Sequence, residues 1–138
     1  MPNPDEVLHI VRQWVERAEE DLNAAERLLV GEEYCPTSTV CFHAQQCVEK
    51  YLKAFLTSAQ IEFPKMHSIV ELMALLPEVA RPQLGAEEQQ RLTNYATVTR
   101  YPGDWEPITR EEAEQAVGMA RRVREAVRKH LPAAALDG

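Results

Sequence analysis

One segment, residues 38–58 (STVCFHAQQCVEKYLKAFLTS), constrains the chain more than any other. It holds neither proline nor glycine, and its apolar residues recur at helical spacing. It also carries more polar groups than a plain core helix needs. At ~100° per residue, Val40, Cys41, Ala44, Val48, Tyr51, Leu52 and Phe55 share one arc broad enough to face a core. Gln45 falls at the edge of that arc, beside Leu52 and Leu56. An unpaired buried amide costs roughly 1–3 kcal/mol, so Gln45 is expected to be structural, bonded to a loop or a neighbouring helix end. The opposite arc holds His43, Gln46, Lys50, Lys53 and Thr57 within ~80°, a continuous polar ridge. One reading of the ridge is a solvated helix face, and Lys53 is assigned to it. The other is a site, because His, Gln and Lys together can bind an anion or a base edge. His43, Gln46 and Lys50 are the candidates.

The rest of the chain also reads as helix. Val7, Val11, Trp14, Ala18, Leu22, Ala25 and Leu29 make an amphipathic stripe over about Asp5–Val30, with Gly31 placed as a left-handed stop. Asp21 sits beside that stripe, either as a border residue or as the partner of a cation on another helix. The long segment starts after Pro36, with Thr37 or Ser38 able to cap it, and runs to about Ser58. Ser68 and Glu71 open a short helix over Ile69–Leu76 that Pro77 stops, and His67 before it is expected to cap or bridge. A fourth helix covers roughly Ala86–Thr99. Thr109, Glu112 and the Ile108–Ala113 pair open the last, with a stripe of Ala113, Ala116, Val117, Ala120, Val123, Val127 and Leu131. Three long and two short helices joined by short loops predict an all-α, up-and-down bundle. It forms one domain over residues 1–138, with a core at about 5–131 and a frayed tail at 132–138.

Composition removes several function classes. A formal net charge of −7 argues against nonspecific duplex binding. The locally basic run Arg121, Arg122, Arg124, Arg128, Lys129 and His130 fits cations at a helix C-terminus. No apolar run approaches the ~18 residues of a membrane span and no signal pattern opens the chain, so a cytoplasmic protein is expected. Cys35, Cys41 and Cys47, spaced by six, suit neither a zinc site nor a disulfide framework and are read as reduced thiols. No His-Glu-x-x-His motif or glycine-rich phosphate loop occurs, so neither a metal nor a cofactor is expected.

A second constellation is Tyr95-Ala-Thr-Val-Thr-Arg100-Tyr101-Pro102-Gly103-Asp104-Trp105. Arg100 leaves a helix before a Pro-Gly break, flanked by Tyr101 and Trp105, and Asp104 can orient its guanidinium. It either ties the loop to the bundle or contacts a base or phosphate.

Trp14…Ala18…Asp21-Leu22…Ala25, the run from Phe42 to Ala54 with its Ala-Gln-Gln-x-x-Glu-Lys-x-Leu-Lys-Ala core, Pro64…His67, and Tyr95…Thr99-Arg100-Tyr101-Pro102 together resemble the HEPN domain (higher eukaryotes and prokaryotes nucleotide-binding) over about residues 8–130. The resemblance implies a helical bundle that dimerises or forms a higher homo-oligomer, often beside a minimal nucleotidyltransferase in a toxin–antitoxin-like pair. In ribonuclease members an arginine is followed a few residues later by a histidine, and two such motifs meet across a dimer to cleave RNA. Arg100 matches that arginine. At the required distances stand Asp104, Trp105, Glu106 and Pro107, and no histidine follows before His130. The resemblance therefore implies a non-catalytic subunit that binds a nucleotide or docks the partner; the ridge residues His43, Gln46 and Lys50, with Arg100, Tyr101 and Asp104, are the candidate contacts. A metal-independent ribonuclease that uses Arg100 with His43 or His67 as base, and a purely oligomeric scaffold, are the alternatives.

Overall fold

The computed structural model describes residues 3–31, 34–96 and 107–136, and among them every regular element is helical. The five α-helices are α1 (Pro4–Leu29), α2 (Thr37–Ser58), α3 (Ile69–Leu75), α4 (Ala86–Tyr95) and α5 (Arg110–Arg128). Short 3-10 turns stand at Glu78–Ala80 and Ala133–Ala135.

Local chemistry sets most of the starts. Asn3 caps α1 by accepting the Glu6 amide at 2.9 Å, with Pro4 in the first turn, where its missing N–H costs nothing. Ser68 and Thr109 cap α3 and α5 by accepting the amides of Glu71 and Glu112. Helix α2 departs from expectation. Pro36 holds the cap position and no side chain caps there, because the Thr37 hydroxyl donates instead to the Ile108 carbonyl at 2.7 Å. That bond ties the start of α2 to the lead-in of α5.

The end of α1 is closed by other means than expected, and the end of α2 by a left-handed residue that is not glycine. Gly31 does not adopt the left-handed conformation; its role is close approach, since a Cβ there would lie 3.0 Å from the Tyr34 carbonyl. The free carbonyls of Leu29 and Gly31 are taken by the Arg110 guanidinium, at 2.5 and 3.0 Å. At the end of α2 the left-handed residue is Gln60, with φ 56°. The Ile61 amide reaches the Leu56 carbonyl and the Gln60 amide that of Thr57, a Schellman closure with Ile61 packed on the core.

Helix α2 packs against each of the other four helices, most extensively α1 and then α5. The direction of α5 follows from its bonds. Arg110 meets the end of α1, Arg121 meets Glu26 and Arg124 meets Glu19, so α5 runs antiparallel to α1. It therefore runs alongside α2 in the same sense, from the Thr37–Ile108 bond to the contact of Arg128 with Tyr51. Helices α3 and α4 carry the chain back between them. The buried stripe of α1 includes Val15 in place of the expected Trp14, which sits half-buried at the rim.

The expected fraying after Leu131 does not hold for the described part of the tail. Residues 133–135 form a turn with Ala135 buried, and the Arg12 guanidinium donates to the Ala134 carbonyl at 2.7 Å. The small, apolar Ala-Ala-Ala-Leu run fits against α1 where a polar tail would stay solvated. The expected extension of α4 to Thr99 lies outside the described residues.

Candidate functional site: a charged ridge along α2

Helical spacing places Phe42, His43, Gln46 and Lys50 on one side of α2, and α1 supplies their counter-charge. Asp21, buried at 8% exposure, holds His43 Nδ1 on one carboxylate oxygen at 2.8 Å and Lys50 Nζ on the other at 2.5 Å. Asp21 is thus the partner of a cation, Lys50, on a neighbouring helix, one of the two roles its position allowed. His43 and Lys50 remain part-exposed, with 29% and 21% of their side chains accessible. The clamp holds the His43 ring and the Lys50 ammonium at the surface in fixed positions.

Behind the ridge lies a second network with Glu49 at its centre. Glu49 is 3% exposed and accepts from Gln45 Nε2 at 2.9 Å and Lys53 Nζ at 2.9 Å; His67 Nδ1 lies 3.2 Å from both of its oxygens. Gln45 Oε1 in turn accepts from Gln46 Nε2 at 2.7 Å. Gln45 is fully buried, but its partners lie on its own helix and not on a loop or a neighbouring helix end. Lys53 is not on the solvated face. It is 6% exposed, with its ammonium 5.6 Å from the Trp14 ring centre and 6.0 Å from that of Phe63. Two aromatic faces and a carboxylate replace the water that the ammonium has lost. His67 bridges the start of α3 to α2 while most of its ring faces solvent.

Glu49 was missed because a period-based reading places it on an arc without saying which neighbour covers that arc. A usable signal was present: Gln45, Glu49 and Lys53 follow one another at four-residue steps, the spacing of on-helix polar pairs. Arg100, Tyr101, Asp104 and Trp105 lie outside the described residues.

The basic run on α5 is not a free cationic face. Arg121 pairs with Glu26, Arg122 with Glu88, and Arg124 grips Glu19 through both oxygens at 2.8–3.0 Å. Arg128 donates to the hydroxyl of the fully buried Tyr51. Burial raises the Glu19 carboxyl, but Arg124 and the Tyr51 hydroxyl outweigh it and hold the group below its ordinary value. Burial pushes the Tyr51 phenol well up, only partly offset by Arg128. Arg121 and Arg124 clamp α5 to α1 across a groove, while Arg122 ties α5 to α4 and Arg128 ties it to α2. The thiols are equally committed to structure. Cys41 and Cys47 are buried and free, Cys41 pushed up to about 11 by burial despite the Tyr95 hydroxyl, and Cys47 higher still. Among the described residues, no three metal-binding side chains converge. No described helix is long and apolar enough to cross a membrane.

Comparison with known proteins follows the same outline. A family model described as the HEPN domain matches residues 11–130. The protein named "Putative toxin MJ1304" from Methanocaldococcus jannaschii is 29% identical over 143 aligned positions, 86% of each chain. The crystal structure of TT1696 from Thermus thermophilus superposes with a TM-score of 0.69 at 32% identity, covering 88% of this chain and 98% of that one. That of ST0689, an archaeal HEPN homologue, gives 0.68 at 27% identity, covering 87% and 96%.

Proposed function

The chain belongs to the HEPN domain family, and on that premise we propose that it is the toxin-like subunit of a two-part module. In this reading it works as a homodimer or higher homo-oligomer. Its His43–Gln46–Lys50 ridge binds a nucleotide or docks a small nucleotidyltransferase. The observation that carries the reading is the Asp21 clamp: a buried carboxylate holds the part-exposed His43 ring and Lys50 ammonium side by side, so an arriving ligand meets groups already ordered. The toxin-named relative supports the module. In this reading Arg100 and Tyr101, from the Thr-Arg-Tyr-Pro segment, and Asp104 also contact the ligand or partner.

Titration of the purified protein with nucleotides tests the small-ligand arm, and coexpression with an adjacent nucleotidyltransferase tests the docking arm. Lys50→Ala is expected to weaken nucleotide binding by about tenfold to a hundredfold, the size of one charge-assisted contact. Its melting temperature should also fall, since the buried Asp21 carboxylate loses one of its two bonds, so binding is compared well below the variant's transition. Unchanged affinity would remove Lys50 from the site. Absence of both nucleotide binding and a stable complex would remove the reading.

One observation favours a second reading, a metal-independent ribonuclease. With His43 Nδ1 committed to Asp21, the neutral ring carries its free lone pair on Nε2, where a general base needs it. Expression should then arrest growth, and Arg100→Ala should abolish the arrest. Intact cellular RNA after expression of the unaltered chain would exclude it.

A further inference from the structure

The hydrogen bonds behind the ridge do more than satisfy buried groups. An ionised carboxylate accepts and never donates, so the Glu49–Gln45 bond fixes which end of the Gln45 amide faces Glu49. The other end, Oε1, can only accept, and it takes one N–H of Gln46. Turning the Gln46 amide over would set oxygen against oxygen. Its polarity is therefore locked from inside the helix, leaving Oε1 and one N–H available toward the ridge. One turn before Gln46 on the same helix stands Phe42, exposed at 38% and in edge contact with the His43 ring at 5.6 Å. One turn after it stands Lys50.

Resting on the nucleotide-binding reading above, we propose that this ridge selects adenine. Gln46 reads the base edge, Phe42 stacks on the base face, and Lys50 holds a phosphate. An oriented amide offering an acceptor beside a donor pairs with adenine's exocyclic amino group and adjacent ring nitrogen. With the phosphate and the stacked face fixing the base's approach, guanine and uracil bring a carbonyl to the place of that amino group, opposite Oε1. Cytosine shares the amino group but offers Phe42 a smaller ring system to stack on. The ligand is either a free adenine nucleotide or an adenine within an RNA strand; both present the same edge.

The experiment is calorimetric titration of the full chain with AMP, CMP, GMP and UMP, and with short oligoadenylate and oligouridylate RNA. The expected result is a preference for adenine over guanine and uracil of about tenfold or more. Binding of AMP identifies the free nucleotide as a ligand; binding of oligoadenylate alone identifies adenine within RNA. Gln45→Leu, which unlocks the Gln46 amide without touching the ridge, should collapse the preference while the chain still binds nucleotide. Phe42→Ala, at an exposed position the fold does not depend on, should weaken adenine binding roughly tenfold through lost stacking. Equal affinity for the four bases overturns the adenine assignment and leaves the nucleotide reading standing. Binding of none of these ligands overturns both. A preference that survives Gln45→Leu unchanged overturns the lock.

Discussion

Replacing Glu49 with leucine is expected to destabilise the bundle by about 3–5 kcal/mol, the usual cost of breaking a buried ion pair from one side. For a chain of this length that lowers the melting temperature by on the order of 10–15 °C. The variant strands three donors at once. Lys53 loses its counter-charge in a space closed by Trp14 and Phe63, Gln45 loses the acceptor for its amide, and the bridge from His67 to α2 is gone. Because the Lys53 and Glu49 side chains are only 7% and 5% accessible, salt should change the loss little. The double variant Glu49→Leu/Lys53→Met removes both charges and is expected to regain most of the stability, as an apolar pair of similar volume packs without a desolvated ion. Thermal unfolding followed by circular dichroism measures all three proteins. A loss below about 1 kcal/mol in the single variant would mean that Lys53 reaches water and that the pair is not buried.

Tyr51→Ala should cost a comparable about 3–5 kcal/mol, for a different reason. The ring is fully buried in α2, the helix that every other helix contacts, so its removal leaves a cavity where α1, α2 and α5 meet. Its hydroxyl also receives Arg128 at 3.2 Å and supports Glu19, which Arg124 holds from the other side. Tyr51→Phe separates the two contributions. It keeps the packing and loses only the polar tip, so about 0.5–1.5 kcal/mol is expected, with Glu19 still held by Arg124. Equal losses in the two variants would place the energy in the hydroxyl network and not in the core.

Much of the bundle was legible because helix signals are local. Ser68 and Thr109 act within three residues of themselves, and the stripe from Ala113 to Val127 repeats at the spacing that becomes its buried face. The misassigned residues are those whose fate depends on what packs against them. Lys53 and Lys50 stand three residues apart on the same arc, and nothing local says that Trp14 and Phe63 close over one while Asp21 leaves the other part-exposed. Gly31 carries the signature of a left-handed stop, but Arg110, 79 residues further along, supplies the cap that such a stop would have provided. The three-alanine tail has the composition of a frayed end and is held instead by one guanidinium from α1.

By itself the sequence determined the helical class, the places where helices begin, and the side of α2 on which His43, Gln46 and Lys50 stand together. Those follow from backbone propensity, capping and the 3.6-residue period, which act over one or two turns. Only the tertiary structure decided which of those polar groups meet water, which carboxylate orders them, and that α5 runs beside α2 in the same direction. Those outcomes depend on burial and charge pairing between segments distant in the chain. Desolvation is set by the covering surface, and no stretch of sequence carries its own cover.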